Sequence, residues 1–378
     1  SWTVEIHTVE VYVGTDGDHQ DEFLRGNRPR DLLRNSIVTP SLLASILNVK
    51  YVNSSALHRI EQEFQRNGVN ISRQTMSNWI VKCSQMYFTP FVERMKQELL
   101  SLHVTQSDET PTQVIADSDH PNSKCYMWVH RSGEFYTRRP IVVYEYQKGR
   151  DHQKPLDFYK DYKGVLVTDS LQQYHLVDKK LPDVTNANCW AHARRDFSDA
   201  VKAADKKDPS LVRQSVAYQA LQKIAEFYNA DTELKGLSSR ERLQKRQEII
   251  QPMVEDFFAW VKEQLSQCTV PPKSKTGQGL QYLVNQELYL KVFLTDGDVP
   301  IDNSASERSI RTFCIGKKNW MFHNTANGAS ANAMVYSISE TAKLNSLRPY
   351  YYFRHILTEL PKRCDVNGKI NPAELDDL

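Results

Sequence analysis

Three acidic residues of this chain, Asp108, Asp169 and Glu307, each lie where a predicted strand ends or a predicted helix begins. They are separated by 61 and 138 residues (169 − 108 and 307 − 169), so they form no local motif. Carboxylates from separate elements can together hold two Mg²⁺ ions, because Mg²⁺ prefers oxygen ligands. Two such ions flank a phosphodiester and stabilise its attacking and leaving oxygens. The set is a candidate site for phosphoryl transfer.

The two aspartates follow segments that have the pattern of strands. VLVT at 165–168 is an apolar run typical of a strand buried on both faces, and Asp169 follows it directly. In QSDETP, Asp108 shares a strand face with Val104, whereas Glu109 points the other way. A carboxylate at such a strand end faces the crevice where open α/β sheets bind ligands. The alternatives are that Asp169 starts a turn or caps the next helix, and that Asp108 belongs to a polar loop.

The segment IDNSASERSIRTF, residues 301–313, offers two roles for Glu307. Ser304 followed three residues later by Glu307 is the pattern of a capping box, in which both side chains bond to backbone amides at a helix start. In the other role Asp302 or Asn303 is the N-cap, and Glu307 faces the strands as the third metal ligand.

Basic residues are concentrated just after the third carboxylate. Arg308 and Arg311 lie on the same predicted helix, and Lys317 and Lys318 follow in GKKNW. Such side chains bind DNA phosphates, which gives affinity without sequence selectivity. The alternative is that they neutralise Asp302 and other local acids. Their position beside the proposed metal site favours DNA contact.

The segment CWAHARR contains a C-x-x-H pair, Cys189 and His192. Zinc would need two further ligands, and none lies at a regular spacing. A buried cysteine and a hydrogen-bonded histidine with a structural role are therefore the favoured interpretation. The adjacent Arg194 and Arg195 either contact phosphate or lie on a solvated helix face.

The elements that must position these residues are predicted to alternate as in an α/β protein. Three strands, a helix, a strand, a helix and a strand are predicted, with the strands at 103–115, 124–131, 139–147, 164–170 and 184–192. From about 197 to 298 the chain is helical and charged, with apolar stripes at 210–229, 238–250, 252–267 and 278–294. This part is predicted to be a helical insertion before the Glu307 helix.

Residues 54–85 have the pattern of a helix-turn-helix. A first helix ends at Gly68, and Ser72 is placed to cap a second whose inner stripe comprises Met76, Trp79, Ile80 and Cys83. The outer face carries side chains that suit phosphates and base edges, namely Arg73, Gln74, Ser77, Asn78 and Lys82. An ordinary helical hairpin is the alternative.

Composition is that of a soluble globular protein, with 40% hydrophobic and 25% charged residues. No apolar run approaches the roughly 18 residues of a membrane span. The net charge is only +2, so positive charge for a nucleic acid must be local. Six scattered cysteines with no C-x-x-C pair favour a reducing cytosol over a disulfide framework. Residues 2–13 alternate like a strand or short hairpin.

Several segments resemble bacterial DDE transposases of the insertion sequence 66 family. IDNSASERSIRTFCIGKKNW and YSISETAKLN resemble the C-terminal signature of that family. VTPSLLASILNVKYVN, SDETP, VTDSLQQY and ANCWAHARRDF match in the expected order, so the resemblance covers about residues 37 to 361. The family usually has a cysteine-rich zinc-binding segment upstream of VTPSLL. Here the corresponding stretch, YVGTDGDHQDEFLRG, contains no cysteine.

The resemblance implies an RNase H-like core in which Asp108, Asp169 and Glu307 are the DDE triad. It implies Mg²⁺, for which Mn²⁺ can substitute, and hydrolytic nicking followed by attack of the freed 3′-hydroxyl on target DNA. Transposon-end DNA, target DNA, further copies of the chain on paired ends and co-encoded accessory proteins are the expected partners. The expected location is the bacterial cytoplasm at the nucleoid, with no membrane. The alternatives are an RNase H-fold nuclease or resolvase without strand transfer, and a catalytically silent DNA-binding relative.

The predicted fold class is α/β. An RNase H-like core, a mixed sheet with flanking helices, is interrupted by an all-helical insertion and preceded by a mainly helical region with the helix-turn-helix. The predicted divisions are an N-terminal DNA-binding region, a first core part, the insertion, a second core part with the catalytic Glu, and a C-terminal tail, at 1–100, 101–198, 199–298, 299–345 and 346–378.

Overall fold

A computed structural model of the protein describes most of the chain. The described residues are 6, 8–15, 17–20, 22–26, 31–117, 124–151, 153–170, 172–204, 209–268, 270–365 and 367–378. Near the N-terminus, β1 (Val11–Val13) and β2 (Phe23–Arg25) form an antiparallel hairpin. The strand predicted over 2–13 is therefore present at its end, and residues 2–5 and 7 lie outside the described residues.

Helices fill the chain before the central sheet. They are α1 (Pro40–Leu47), α2 (Leu57–Arg66), α3 (Arg73–Cys83) and α4 (Thr89–Leu100). α3 begins where predicted, because the Ser72 hydroxyl accepts a hydrogen bond from the Thr75 amide at 3.1 Å. All four residues of its predicted inner stripe are buried. One π-helical turn, Ser84–Phe88, joins α3 to α4.

A five-stranded mixed sheet follows, and the structure confirms all five predicted strands. They are β3 (Val104–Thr112), β4 (Cys125–Ser132), β5 (Val142–Gln147), β6 (Gly164–Thr168) and β7 (Val184–Asn188). Their order across the sheet is β5-β4-β3-β6-β7. β3, β6 and β7 run parallel, whereas β4 pairs antiparallel with both β3 and β5.

Helices connect the later strands as the sequence predicts. α5 (Gln153–Tyr159) precedes β6, and α6 (Gln172–Lys180) joins β6 to β7. β7 ends earlier than predicted, because the backbone N–H of Trp190 donates to the Ile301 carbonyl at 3.2 Å instead of continuing a ladder. Trp190–Ala193 then form the short helix α7.

A largely helical region follows α7 and extends from Arg195 to Leu290. Its members are α8 (Arg195–Ala203), α9 (Pro209–Gln214), α10 (Val216–Glu233), α11 (Ser239–Lys245), α12 (Gln251–Ser266) and α13 (Lys275–Leu290). Phe257, Phe258 and Val261 of the predicted α12 stripe are buried. They share one hydrophobic cluster with Val165 and Val167 of β6. These helices therefore pack against one face of the central sheet.

Three helices complete the fold: α14 (Ser304–Trp320), α15 (Ala326–Leu344) and α16 (Pro349–Glu359). α15 lies along β5, where its Ser337 hydroxyl accepts a hydrogen bond from the Tyr144 amide at 2.8 Å. α16, within the predicted C-terminal tail, buries Phe353, Ile356 and Leu357 in the same hydrophobic cluster as α1. Among the described residues, no helix has both the length and the apolar character that crossing a membrane requires.

Candidate active site

The two predicted aspartates belong to neighbouring parallel strands, since Asp108 lies on β3 and Asp169 directly follows β6. Gln106 of β3 is paired with Val167 of β6. Asp108 lies two residues beyond Gln106 and Asp169 two residues beyond Val167, and the negative charge of Asp169 helps to raise the pKa of Asp108. Side chains two residues apart share a face, and paired strands lie about 4.8 Å apart. The alternation along β3 therefore directs Asp108 to the same face as Val104, which packs in the hydrophobic cluster of the helical region.

Asn303 brings the start of α14 to these two strands. Its side-chain amide donates to the Ser107 carbonyl at 2.6 Å, and its oxygen accepts from the Gln106 amide at 3.1 Å. Its backbone N–H donates to the sulfur of Cys189 at 3.1 Å. Asn303 is fully buried, so the first turn of α14, with Glu307, is fixed beside β3 and the end of β7.

The capping-box interpretation of Glu307 is wrong. Asn303, not Ser304, is the N-cap residue, and α14 begins at Ser304. The Ser304 amide is satisfied by the Asp302 carboxylate at 2.8 Å, and the Glu307 amide donates to the Asn303 carbonyl at 3.2 Å. The Glu307 carboxylate instead lies 3.6 Å from Nδ1 of His192. The structure confirms the N-cap position of the second interpretation, in which Asn303 precedes the helix. Metal binding by Glu307 stays a prediction.

Electrostatics show that the three carboxylates interact. The pKa of Asp108 is raised to about 8, chiefly by burial and in addition by the negative charges of Glu109, Asp169 and Glu307. Burial also raises the pKa of Glu307, Asp302 adds to that effect, and Arg195 is the first of the nearby cations that oppose it. Uncompensated negative charge is what a divalent cation neutralises.

The C-x-x-H pair lies directly beside Glu307. Cys189 is fully buried at the N-cap of α7, as predicted. For the expected hydrogen-bonded histidine no bond is seen at Nδ1 of His192, which is buried without a hydrogen-bond partner. The pKa of His192 is lowered to about 4, chiefly by burial and in addition by the Arg195 charge. Among the described residues, ligand atoms of Cys189, His192 and Glu307 all lie within 4.8 Å of one another.

The predicted DNA-binding cations near the site fall into two groups. Arg194, Arg195, Arg311 and Lys318 are exposed. Arg308 is exposed as well but pairs with Glu134 at 3.3 Å, and Lys317 donates to the Pro111 carbonyl at 2.6 Å. Local neutralisation therefore applies to Arg308, although its acid is Glu134 rather than Asp302.

On the helix-turn-helix, the predicted contact residues form an accessible face. Arg73, Gln74, Asn78 and Lys82 are exposed and Ser77 is half-buried. The Gln74 amide donates to the Asn78 oxygen at 3.0 Å, so two of these side chains are already ordered on the surface of α3.

Sequence reasoning missed the partners of Glu109, the residue next to Asp108. Its carboxylate, on the opposite face of β3, accepts hydrogen bonds from Nε of Arg150 and from the Tyr174 hydroxyl, both at 2.8 Å. The signal available was the strand alternation that separates Asp108 from Glu109. No pattern in the sequence identifies Arg150 or Tyr174 as its partners.

Sequence reasoning also missed the arginines that donate hydrogen bonds to the segment leading to Glu307. Arg131 of β4 donates to the Ala305 carbonyl in the first turn of α14 at 3.0 Å. Arg246, fully buried in the helical region, pairs with Asp231 at 2.7 Å and donates to the Val299 carbonyl at 2.7 Å. The helical region therefore anchors the segment that precedes α14.

These features define an α/β protein with an acidic cluster at the carboxyl edge of its parallel strands, bordered by exposed arginines. The sequence model of the transposase IS66 family matches residues 35–331. Because that match covers most of the chain, the protein belongs to the IS66 transposase family.

Relatives occur in Sinorhizobium fredii (strain NBRC 101917 / NGR234). The uncharacterized protein y4qI is 28% identical over 353 residues, which are 90% of this chain and 63% of the relative. The uncharacterized protein y4hP is 24% identical over 331 residues, which are 85% of this chain and 59% of the relative. The chain thus spans about six-tenths of the length of these two relatives.

Proposed function

We propose that this protein is a DNA transposase that nicks transposon ends and joins the freed 3′-hydroxyl to target DNA. The observation that carries the proposal is the meeting of Asp108, Asp169 and Glu307 at one sheet edge in a chain of the IS66 transposase family. Of the four pairs of adjacent strands in the sheet, two are antiparallel and two are parallel, which supports an RNase H-like core interrupted by a helical insertion.

The donor set fits Mg²⁺ or Mn²⁺. All three side chains supply hard oxygen ligands, and the pKa of Asp108 is raised by burial and by the other carboxylates, as expected where charge awaits a cation. Asp108, Asp169 and Glu307 would hold the metal. When bound there, it supplies charge stabilisation to the attacking and leaving oxygens of a phosphodiester.

The reaction consists of two displacements at phosphorus. In the first, water attacks a phosphodiester at the transposon end, and the 3′-oxygen leaves and takes up a proton. In the second, that 3′-hydroxyl attacks a target phosphodiester, loses its proton and displaces another 3′-oxygen. The number of phosphodiester bonds is conserved in the second step, so no energy source is required.

DNA contact is assigned to two surfaces. Arg194, Arg195, Arg311 and Lys318, with Arg308 and Lys317 beside them, would bind phosphates near the carboxylates. Arg73, Gln74, Ser77, Asn78 and Lys82 on α3 would contact the transposon end. Action on paired ends implies more than one copy of the chain, and co-encoded accessory proteins complete the proposed assembly at the bacterial nucleoid.

The test is to replace each carboxylate by its amide: Asp108→Asn, Asp169→Asn and Glu307→Gln. We expect folded variants that bind DNA carrying the ends of the insertion sequence but lose Mg²⁺-dependent nicking and joining by about three orders of magnitude. Asp183→Asn, an exposed acid that pairs with Lys163, is the matched control and should remain active. A fully active Glu307→Gln protein would remove Glu307 from the triad.

Two further results separate the alternatives. A wild-type protein that nicks but never joins is a nuclease or resolvase, and one that binds ends without nicking is a silent relative.

The double substitution Arg73→Ala and Asn78→Ala should weaken end binding and flatten its salt dependence while the melting temperature is unchanged. Unchanged binding would make the helix pair ordinary scaffolding.

A further inference from the structure

Three potential metal ligands of a different chemical type converge next to the proposed Mg²⁺ site. Cys189 and His192 come from the two ends of one short helical turn, and Glu307 comes from the first turn of α14. One ligand atom from each lies within 4.8 Å of the other two. The third ligand is more than a hundred residues away in sequence, which is why the C-x-x-H spacing alone did not reveal it.

The distances fit tetrahedral coordination. Nδ1 of His192 and Oε1 of Glu307 are 3.6 Å apart. Zinc–nitrogen and zinc–oxygen bonds of about 2.1 Å at a tetrahedral angle place the two ligand atoms about 3.4 Å apart. The two atoms are already close to the separation that a shared zinc ion imposes.

Two polar groups at this point are arranged for a ligand. Nδ1 of His192 is buried without a hydrogen-bond partner and faces Glu307. The sulfur of Cys189 accepts a hydrogen bond from the backbone N–H of Asn303 at 3.1 Å, which partly offsets the burial that raises the pKa of this thiol to about 12 without a metal. A buried imidazole nitrogen without a hydrogen-bond partner and a thiol that accepts from an amide are not expected in a site that binds only Mg²⁺, because Mg²⁺ prefers oxygen ligands.

We propose that Cys189, His192 and Glu307 form a binding site for a thiophilic divalent cation, Zn²⁺ in the first instance, and that this cation and Mg²⁺ compete for Glu307. Sulfur and imidazole select zinc-like ions, and Mg²⁺ selects oxygen. The binding site stands on its own geometry. The competition rests on the proposed function, because it requires Glu307 to be a ligand of the catalytic Mg²⁺.

The fourth coordination position remains for water or a DNA phosphate. Asp302 is close but engaged, since its two oxygens accept from the Ser304 amide at 2.8 Å and from the Tyr228 hydroxyl at 3.3 Å. Binding forms a metal–sulfur bond, and the thiol proton of Cys189 is released to solvent. Entry is from the side of Glu307, whose side chain is 36% exposed, because Cys189 is fully buried.

Cobalt(II) is the probe for the site, since it replaces zinc and gives a sulfur-to-metal charge-transfer absorption when a thiolate is bound. The purified, metal-free protein should bind about one cobalt ion with this band, and one equivalent of Zn²⁺ should abolish it. Cys189→Ser should remove the band, and His192→Ala should weaken cobalt binding at least about 10-fold. Cys268→Ser, a change at an exposed cysteine, is the matched control and should bind as wild type does.

A melting curve accompanies each variant, and His192→Ala keeps the test decisive if Cys189→Ser does not fold. Wild-type protein without a charge-transfer band, or a band that survives in Cys189→Ser, would overturn the site. Loss of the band in Cys268→Ser would do the same.

The competition is tested by repeating the cobalt titration in rising Mg²⁺. We expect Mg²⁺ to shift half-saturation to several-fold higher cobalt, and Asp108→Asn to remove that shift. A titration that Mg²⁺ does not affect would overturn the competition and leave the binding site in place. Because this measurement needs no DNA, failure of the proposed transposase activity would be seen separately, as an absence of nicking at any metal concentration.

Discussion

Asp108 and Glu109 are neighbours on one strand, yet their carboxylates have opposite electrostatic surroundings. Glu109 has a side chain that is only 1% exposed, and it is paired with Arg150 and hydrogen-bonded to Tyr174. Asp108 accepts a hydrogen bond from the Glu109 amide at 2.9 Å, and within the described residues no ion pair joins it to a cation. The charges that act on it most strongly are three other carboxylates.

This difference is the one expected between a structural carboxylate and a functional one. Leaving a buried charge without a partner costs several kcal/mol, so folds pair such charges unless a ligand will do so. Glu109 is neutralised by the chain itself, and it fixes the strand behind the site. Asp108 has no cation paired with it among the described residues, which is the pattern expected of a residue that binds a cation.

Arg150→Ala should give the largest change in stability among tests of this comparison. It leaves the carboxylate of Glu109 buried and unpaired, and we expect the free energy of unfolding to fall by about 2 kcal/mol. The value lies below the about 3 to 5 kcal/mol of fully buried pairs, because the Arg150 side chain is 35% exposed and water screens part of the interaction. Denaturant unfolding measures it.

Arg138→Ala is the control for that measurement, since Arg138 is exposed. Its effect should fall within about 0.5 kcal/mol of zero. Equal losses for the two arginine variants would show that Glu109 is not held as a buried charge, and the contrast with Asp108 would fail.

Asp108→Asn should change stability in the opposite direction. The ordinary pKa of an aspartate is about 3.9, and burial among carboxylates raises the pKa of Asp108 to about 8 in the folded protein. The folded state therefore holds this proton more tightly, so wild-type stability is lost as the pH rises from about 4 to about 8. Without metal, the variant should be more stable than wild type by at least about 1 kcal/mol at pH 8.

The difference should vanish at about pH 3, below the ordinary pKa of an aspartate, where Asp108 is largely protonated in both the folded and the unfolded protein. Mg²⁺ at pH 8 should raise the melting temperature of wild type and have little effect on the variant, because the metal neutralises the charge that the variant lacks. A variant less stable than wild type at every pH would mean that Asp108 has a structural partner after all.

The sequence predicted most of the elements but few of the contacts between them. Strand alternation identified the five strands, and the Ser72 cap and its apolar stripe located α3, because these signals depend on neighbouring residues. The candidate site residues Asp108 and Asp169 followed from the same strand pattern. Their proximity to Glu307 rested on family resemblance, since nothing in the local spacing links residues so far apart.

The contacts that the sequence did not predict join residues that are far apart along the chain. Arg246 meets Asp231 only after α10 and the α11–α12 helical run pack, and Asn303 meets Ser107 and Cys189 only when α14 docks on β3. The Ser304–Glu307 pattern was misleading for the same reason. A local capping signal was overridden when Asn303 became fixed by the sheet, which started the helix one residue earlier.

The smallest expected effect compares two glutamates that share the capping-box pattern. Ser238 and Glu241 form a true capping box, in which the Ser238 hydroxyl accepts from the Glu241 amide and the Glu241 carboxylate accepts from the Ser238 amide. The pKa of Glu241 is lowered by its hydrogen bonds to Ser238, whereas burial and Asp302 raise that of Glu307. Glu241→Ala should therefore lower the melting temperature slightly, because a backbone amide loses its acceptor. Glu307→Ala should leave it unchanged or raise it, because the substitution removes a charge that the metal-free fold disfavours. Calorimetry of the two variants at pH 8 without divalent ions measures the two melting temperatures. A larger fall in melting temperature for Glu307→Ala than for Glu241→Ala would show that Glu307 stabilises the start of its helix. That role, rather than a bound cation, would then account for its position.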